Sequence, residues 1–300
     1  MQRQENDLYM NVKTLSDTAY EFPCNLCSST SHRLLFVKKN FPIVKCLSCG
    51  LVSTVLPADF DPLSIYDETY FNGGQVDGYG DYESSEIILR AEFRKIVREI
   101  LKYIPQPEGK KLLELGSAYG YFLSEASAYF TCYGVEVSKA GVQKSEALGL
   151  RVFEGALTAD VLRETGKVDV VVMLDVIEHL TDPMATLGLA YSALNPGGVM
   201  LIVTGDHGSL LSKVMKANWR LMTPPQHTFF FTSKTLPAMV AKAGFTVKSV
   251  TAPWKIVPLG LPFYQVGRRT GLRVRALENI NNFGIPINLF DTVRVIAVKP

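Results

Sequence analysis

The segment that most constrains the fold is Lys111–Leu123, KLLELGSAYGYFL. Leu112, Leu113 and Leu115 read as a short buried strand with Glu114 near its end, and Gly116, Ser117, Ala118, Tyr119 and Gly120 make a tight turn into the helical run that follows. Glycine lets a ligand approach the main chain and takes dihedrals that other residues resist, while a helix start presents N–H groups without intrahelical partners. A strand that turns through small residues into a helix is therefore a ligand cradle.

The spacing of the small residues narrows the ligand. A nicotinamide fingerprint, G-x-G-x-x-G, starting at Gly116 requires glycine at 118 and 121, where the chain has Ala118 and Tyr121. The order present is G-x-A-x-G. Phe130–Val137 (FTCYGVEV) reads as a second strand carrying Glu136 at its end, twenty residues after Gly116, where an acid can accept both hydroxyls of a ribose. Such an acid occurs in more than one nucleotide-binding class, so the glycine spacing decides, and it disfavours the dinucleotide enzymes.

Beyond this point strands and helices alternate. Ser138–Leu148 reads as a helix, Arg151–Glu154 as a strand, Ala159–Glu164 as a short helix and Val168–Leu174 as a fully buried strand. Asp182–Leu194 and Ser233–Ala243 read as helices, Val199–Thr204, Thr246–Thr251 and Thr292–Lys299 as strands. The fold class is α/β with a doubly wound sheet. Right-handed crossovers then place the strand carboxyl ends, and the loops at 116, 137, 155, 175 and 204, along one ligand-binding edge.

The E-x-G-x-A-x-G turn, the acid ending the next strand, LDVIEHL at 174–180 and NPGGVMLIV at 195–203 together resemble a class I S-adenosylmethionine (SAM) methyltransferase over roughly residues 85–250. That family more often has glycine where this chain has Ala118. The resemblance implies a Rossmann-like seven-stranded sheet with an antiparallel last strand, and SAM as cofactor. It places the methionine end on Gly116, Ser117, Ala118 and Gly120 with Glu114 nearby, the ribose on Glu136, and the adenine against the loop Gly155-Ala156-Leu157. Many relatives carry an acid where Ala156 stands, so adenine recognition here leans on backbone groups and on apolar contacts from Val137 and Leu157. Asp175 is expected to face the methionine portion. In catechol-type O-methyltransferases that share an E-H pair, the residues at Glu178 and His179 serve metal binding or catalysis; in other relatives the pair only pins a helix. Asp182 is the one further metal ligand nearby in sequence.

Ahead of this core, Cys24 and Cys27 (CNLC) and Cys46 and Cys49 (CLSC) give C-x2-C, eighteen intervening residues, and C-x2-C. This is zinc-ribbon spacing, in which four thiolates hold Zn²⁺ tetrahedrally without a large core. Two disulfides or unligated thiols are the alternative, disfavoured without a secretory signal. His32–Val44 has the alternation of a hairpin and Gly50-Leu51-Val52 continues beyond it, so the module is a small β-ribbon. Lys38, Lys39 and Lys45 read as a solvated face, and Cys132 as a small hydrophobe in the second strand. A structural zinc that also helps wall the substrate site follows from a further resemblance: a four-cysteine ribbon before this core resembles the sugar C-methyltransferases of deoxysugar and polysaccharide pathways. Those usually continue into another C-terminal domain, for which this chain ends too soon. The expected organisation is a ribbon over 1–55, a connector over 56–84 and a methyltransferase domain over 85–300.

The connector is rich in Pro, Gly, Asp and Tyr and has no clean period. Tyr66, Tyr70, Phe71, Tyr79 and Tyr82 are many aromatics for a linker; the resemblance implies that this stretch lies over the active site and supplies tyrosines, with Tyr70 the candidate, and aromatic packing is the alternative. Glu83–Ile104 follows as an amphipathic helix. Lys plus Arg exceed Asp plus Glu by 31 − 29 = 2, too little for a whole-protein nucleic-acid footprint. The start has no signal-peptide core, and no apolar run approaches the ~20 residues of a bilayer span, so a cytoplasmic protein without a transmembrane segment is expected. Arg268, Arg269, Arg273 and Arg275 offer either a phosphate or anionic-surface contact or a solvated basic edge.

For the chemistry, the resemblance points to His227, in WRLMTPPQHTFFFT after the fifth strand, as general base, with His179 and His207 as other candidates. The sugar enzymes usually have glutamate before that histidine; here it is Gln226. The expected activity is methyl transfer from SAM to a small carbohydrate or nucleotide-sugar acceptor. Alternatives are an O-methyltransferase of a quinone or other small aromatic, and a zinc-ribbon RNA-binding or RNA-modifying protein.

Overall fold

Lys39 and Asn40, both at positive φ (51° and 66°), close a two-residue hairpin between β2 (Ser31–Lys38) and β3 (Phe41–Cys46), with β1 (Tyr20–Glu21) paired to β2. A turn of that hand matches the twist of the strands it joins. β4 (Val52–Thr54) pairs antiparallel with β3 and completes the ribbon's own strands. The computed structural model describes residues 20–61, 82–83, 85–258 and 284–300. Tyr66, Tyr70, Phe71, Tyr79, Arg268, Arg269, Arg273 and Arg275 lie outside the described residues.

Helix α1 (Glu86–Leu101) buries Val97 and Ile100 against the large sheet, and Ile88 is buried as well. The core then runs β5 (Lys111–Leu115), α2 (Tyr121–Ala126), β6 (Thr131–Glu136), α3 (Lys139–Ala147), β7 (Arg151–Glu154), α4 (Ala159–Thr165), β8 (Val168–Leu174), α5 (Pro183–Ala193), β9 (Leu194–Gly205) and α6 (Leu210–Met215). It closes with β10 (Phe229–Phe230), α7 (Thr235–Lys242), β11 (Thr246–Thr251), β12 (Lys255–Pro258), β13 (Gly284–Ile287) and β14 (Thr292–Val298).

Seven strands form one sheet in the order β11-β14-β9-β8-β5-β6-β7. β9, β8, β5, β6 and β7 are mutually parallel, and β14 lies antiparallel between β9 and β11. The expected doubly wound sheet and antiparallel closing strand are thus present. β5 and β8 sit at the centre: Leu112, Leu113, Val170, Val171, Val172 and Met173 have no exposed surface. Each such side chain contributes about 1.5–3 kcal/mol by leaving water, so the strands that carry the cradle also form the most firmly held part of the fold. One boundary differs from expectation. β9 begins at Leu194, not Val199, because Leu194 already pairs with Val168 and the turn-like Asn195–Gly198 is carried within the strand beside a register shift.

The ribbon is not an independent module. β10, from the far side of the chain, pairs antiparallel with β4, Phe229 opposite Ser53 and Phe230 opposite Val52, and completes a five-stranded sheet. Lys38, expected on a solvated face, instead donates to the carbonyls of Ala217 (2.7 Å) and Met222 (2.5 Å) and fastens the ribbon to the segment leading to His227. The Asn25 amide donates to Asp182 Oδ1 (2.8 Å) and its oxygen accepts from Met184 N (3.0 Å), while Lys242 donates to Leu26 O (2.6 Å). No helix among the described residues is long and apolar enough to cross a membrane.

Candidate active site

The turn after β5 is built around residues with positive φ: Gly116 (70°), Ala118 (48°) and Gly120 (75°). Any Cβ at Gly116 would stand 2.5 Å from Val176 Cγ2, so glycine is required there for space as well as for conformation. The Gly116 and Ser117 amides both donate to Val135 O, at 2.8 and 3.1 Å, which locks this turn to β6. Glu136, ending β6, accepts from Ala118 N through Oε2 (2.7 Å) and from Ser138 N through Oε1 (2.8 Å). One buried carboxylate therefore joins the two loops that follow β5 and β6. Burial pushes its pKa up, opposed by those amides.

Two polar atoms in this cradle have no hydrogen-bond partner among the described residues: Glu114 Oε2 and Ser117 Oγ, on residues 2% and 3% exposed. Buried polar atoms are normally paired, and orphans beside an open turn are what a polar ligand would satisfy. Burial, and then the charge of Glu136, hold the Glu114 carboxyl well above the usual range. Tyr82 packs edge-on against Tyr119 (5.3 Å) and stacked on Tyr121 (5.5 Å), and its phenol is raised by burial and by the charges of Glu114, Tyr121, Glu136 and Asp175. Its place among these acids was not legible in the sequence, where it was one aromatic of several. Farther along the edge, Val137 and Leu157 are half-buried and Ala156 is exposed. Asp175 has φ 54°, and its Oδ2 lies 3.3 Å from Lys255 Nζ.

Beside this edge a second cluster forms. Glu178 and His179 lie in a short 3-10 turn, Ile177–His179, after β8, and one ligand-capable atom from each of them and one from His227 fall within 4.8 Å of one another. The rings of His179 and His227 meet edge to face, centroids 4.6 Å apart. His179 Nδ1 is 3.0 Å from Gln226 O and His227 Nδ1 is 2.7 Å from Leu221 O. A carbonyl can only accept, so both rings carry their proton on Nδ1 when neutral. Burial lowers the His179 pKa to about 4, opposed by Asp175 and by the Gln226 carbonyl. Burial and then His179 hold His227 well below the ordinary range. Burial and Asp175 push Glu178 up to about 8, opposed by hydrogen bonding that includes the Thr204 hydroxyl, and Glu178 Oε2 has no partner.

Asp182 and His207 stand outside this cluster. Asp182 caps α5 through Ala185 N (3.0 Å) and holds Asn25, so it acts as a structural acceptor. The His207 ring packs near Trp219 (5.8 Å) and Phe230 (6.0 Å).

At the tip of the ribbon the four cysteine sulfurs converge. Cys24 Sγ is 3.6 Å from Cys49 Sγ and Cys27 Sγ is 3.5 Å from Cys46 Sγ, and all four lie within 4.8 Å. A disulfide would need about 2.0 Å, whereas thiolates about 2.3 Å from a tetrahedral Zn²⁺ stand about 3.8 Å apart. The donor set and its spacing fit zinc.

Residues 88–250 match the model of a family described as "Methyltransferase domain". A ubiquinone biosynthesis O-methyltransferase of Cereibacter sphaeroides is 31% identical over 180 residues, spanning 55% of this chain and 69% of that protein. One from Pseudomonas fluorescens is 29% identical over 156 residues, spanning 47% of this chain and 67% of its own length. The solved magnesium protoporphyrin IX methyltransferase of Synechocystis PCC 6803, with bound S-adenosylhomocysteine (SAH), aligns over 80% of this chain and 100% of its own with a TM-score of 0.51 at 13% identity, a likeness of fold. With the seven-stranded sheet, its cradle and a family match from 88 to 250, the chain belongs to the methyltransferase-domain family and is a SAM-dependent methyltransferase.

Proposed function

We propose that the protein methylates a small carbohydrate or nucleotide-linked sugar in the cytoplasm, with His227 as general base and a structural Zn²⁺ on Cys24, Cys27, Cys46 and Cys49. SAM, when bound, supplies an electrophilic methyl group. Glu114 and Ser117 offer their unpaired oxygens to its polar end, and Glu136, already fixed by two amides, is the ribose acceptor. Gly116, Ala118 and Gly120 leave the main chain open to it, Asp175 borders the same space, and Val137, Ala156 and Leu157 are the surroundings of the adenine. The described residues that face the cradle thus fit the group the family implies.

The observation that carries the assignment of the base is the meeting of His227, His179 and Glu178. With Nδ1 turned to Leu221 O, His227 keeps its lone pair on Nε2, and burial keeps the ring neutral at working pH. It can therefore take a proton from a hydroxyl or a carbon acid, a contribution of about 10² to 10⁴ in rate. Gln226 cannot supply charge to strengthen it; Glu178, when ionised, can. His179 is the alternative base, and Tyr70 remains a proposal from the resemblance alone.

The carbohydrate class is supported by the ribbon and by a cavity of about 400 Å³ at its junction with the catalytic domain, where Ser53 and Thr181 stand beside the stacked rings of Phe22 and His32. Hydroxyls with an adjacent ring face suit a sugar. The 29–31% identity to ubiquinone biosynthesis O-methyltransferases favours a second reading, a quinone or other small aromatic as acceptor. Mass spectrometry of sugar-nucleotide and phenolic pools incubated with the protein and isotopically labelled SAM separates the two: label in the phenolic pool alone would overturn the carbohydrate assignment.

A further inference from the structure

We propose that Thr54, on the ribbon's last strand, is a positioning residue that holds His227 in place as a base; the inference rests on His227 having that role. Thr54 is 7% exposed, and its Oγ1 donates to His227 O at 2.7 Å. Its amide donates to the next carbonyl, Thr228 O, at 2.9 Å. From the opposite side, Thr228 N donates to Glu178 O (2.8 Å), and the Thr228 hydroxyl lies within reach of Glu178 O (2.9 Å) and Leu180 O (2.6 Å). The His227–Thr228 peptide is therefore gripped between the ribbon and the loop that carries Glu178 and His179.

This grip matters because of how the ring is fixed. His227 has two side-chain torsions, and its Nδ1 is anchored to Leu221 O, so a shift of its main chain either breaks that bond or turns the ring relative to His179, which it meets edge to face, and to Glu178. Sub-ångström placement of this kind decides whether a base works. Thr54 is well suited to set it. It ends a strand that lies between β3 and β10, itself opposite Ile43 of β3, so its height over His227 is fixed by the ribbon's frame. Its neighbour Val52 is 2% exposed in an apolar cluster; a hydroxyl at 54 answers a buried carbonyl. Thr228 performs the matching task toward Glu178.

The test uses the full chain labelled with ¹⁵N-histidine, with His227→Gln to assign the signal. In the native protein His227 should show the Nδ1–H tautomer. Thr54→Val, which keeps shape and removes the donor, should give a mixed or reversed tautomer and at least a tenfold fall in turnover on the sugar-nucleotide pool, with the SAH-induced rise in Tm intact; Thr54→Ser should restore both. If the valine variant no longer responds to SAH, Thr54→Ala, which cannot clash, is read in its place. A native tautomer or native turnover in the variant that retains SAH binding overturns the proposal. Normal turnover in His227→Ala would instead remove the base itself, and the tautomer signal would still judge Thr54.

Discussion

A carboxylate oxygen of Glu178 lies within 4.8 Å of a ring nitrogen of His227, and Glu178 Oε2 is buried with no hydrogen-bond partner among the described residues. A carboxyl raised to about 8 beside imidazoles held below their usual range means that, near neutral pH, the acid carries the proton and both rings are neutral. Proton acceptance is thereby assigned to the histidines and charge is kept out of the interior until the acid ionises.

His227→Ala should lower turnover at least about 10²-fold, the lower end of what a positioned base provides. SAH should raise the Tm of the variant as it does that of the native protein, because His227 lies outside the cradle that ends at Gly116–Gly120 and Glu136. Paired kinetic and thermal-shift measurements check this. Near-native turnover would move the role to His179 or show an acceptor that needs no base.

Glu178 should also leave a mark on stability. Its native pKa, about 8, is above the ordinary 4.5, so between these values the native state binds more protons than the unfolded one and stability falls as pH rises. His179, lowered from 6.5 to about 4, has the opposite sign, but only below about 6.5. Between pH 6.5 and 8 the acid therefore acts without that opposition, and its contribution is at most about 2 kcal/mol. Urea melts of native protein and Glu178→Gln at the two ends of this window should show a smaller loss in the variant. Equal losses would mean that Glu178 is already ionised in the native state.

Much of this architecture was legible because its signals are local. VDVVVML is apolar apart from Asp169 and is the buried β8; Ser138 and Asp182 cap helices that start one residue later. The pairing of Phe229–Phe230 with Val52–Ser53 left no such trace. A two-residue strand has no period to detect, and its partner lies in another part of the chain. The same holds for Lys38, Thr54 and Thr228, whose partners are main-chain carbonyls that every residue possesses. The E-H pair was visible and His227 was reached through a family resemblance, but the convergence of the two depends on how two distant loops are folded together and left no trace in the sequence.

The ribbon should hold one zinc per chain by elemental analysis, and Cys24→Ser or Cys46→Ser should abolish it, since metal binding and the folding of so small a module are coupled. Because β4 pairs with β10, the loss should spread: hydrogen exchange at the Phe230 amide, and at the Thr54 amide that Thr228 O accepts, should accelerate in the variants. Full zinc loss with unchanged exchange there would show that the catalytic domain holds this loop without the ribbon.

The cradle is tested most sharply at Gly116. Alanine there would meet two obstacles, a φ of 70° that costs an L-residue about 1–2 kcal/mol and a Cβ 2.5 Å from Val176 Cγ2. Relief of either moves the turn that carries Ser117 and Ala118, and the Ala118 amide is one of the two that fix Glu136. Gly116→Ala should therefore abolish the SAH-induced rise in Tm, while Glu136→Ala, which frees the Ala118 amide but places no Cβ in the turn, should weaken it by removing the ribose acceptor. NADH should produce no shift in either variant or in the native protein. Adding Val176→Ala to Gly116→Ala removes the steric obstacle but not the dihedral one, so SAH binding should recover only in part. Full recovery would show that the turn needs space at 116 and not the left-handed conformation, and unchanged SAH binding in Gly116→Ala alone would show that the cofactor does not lie against this turn.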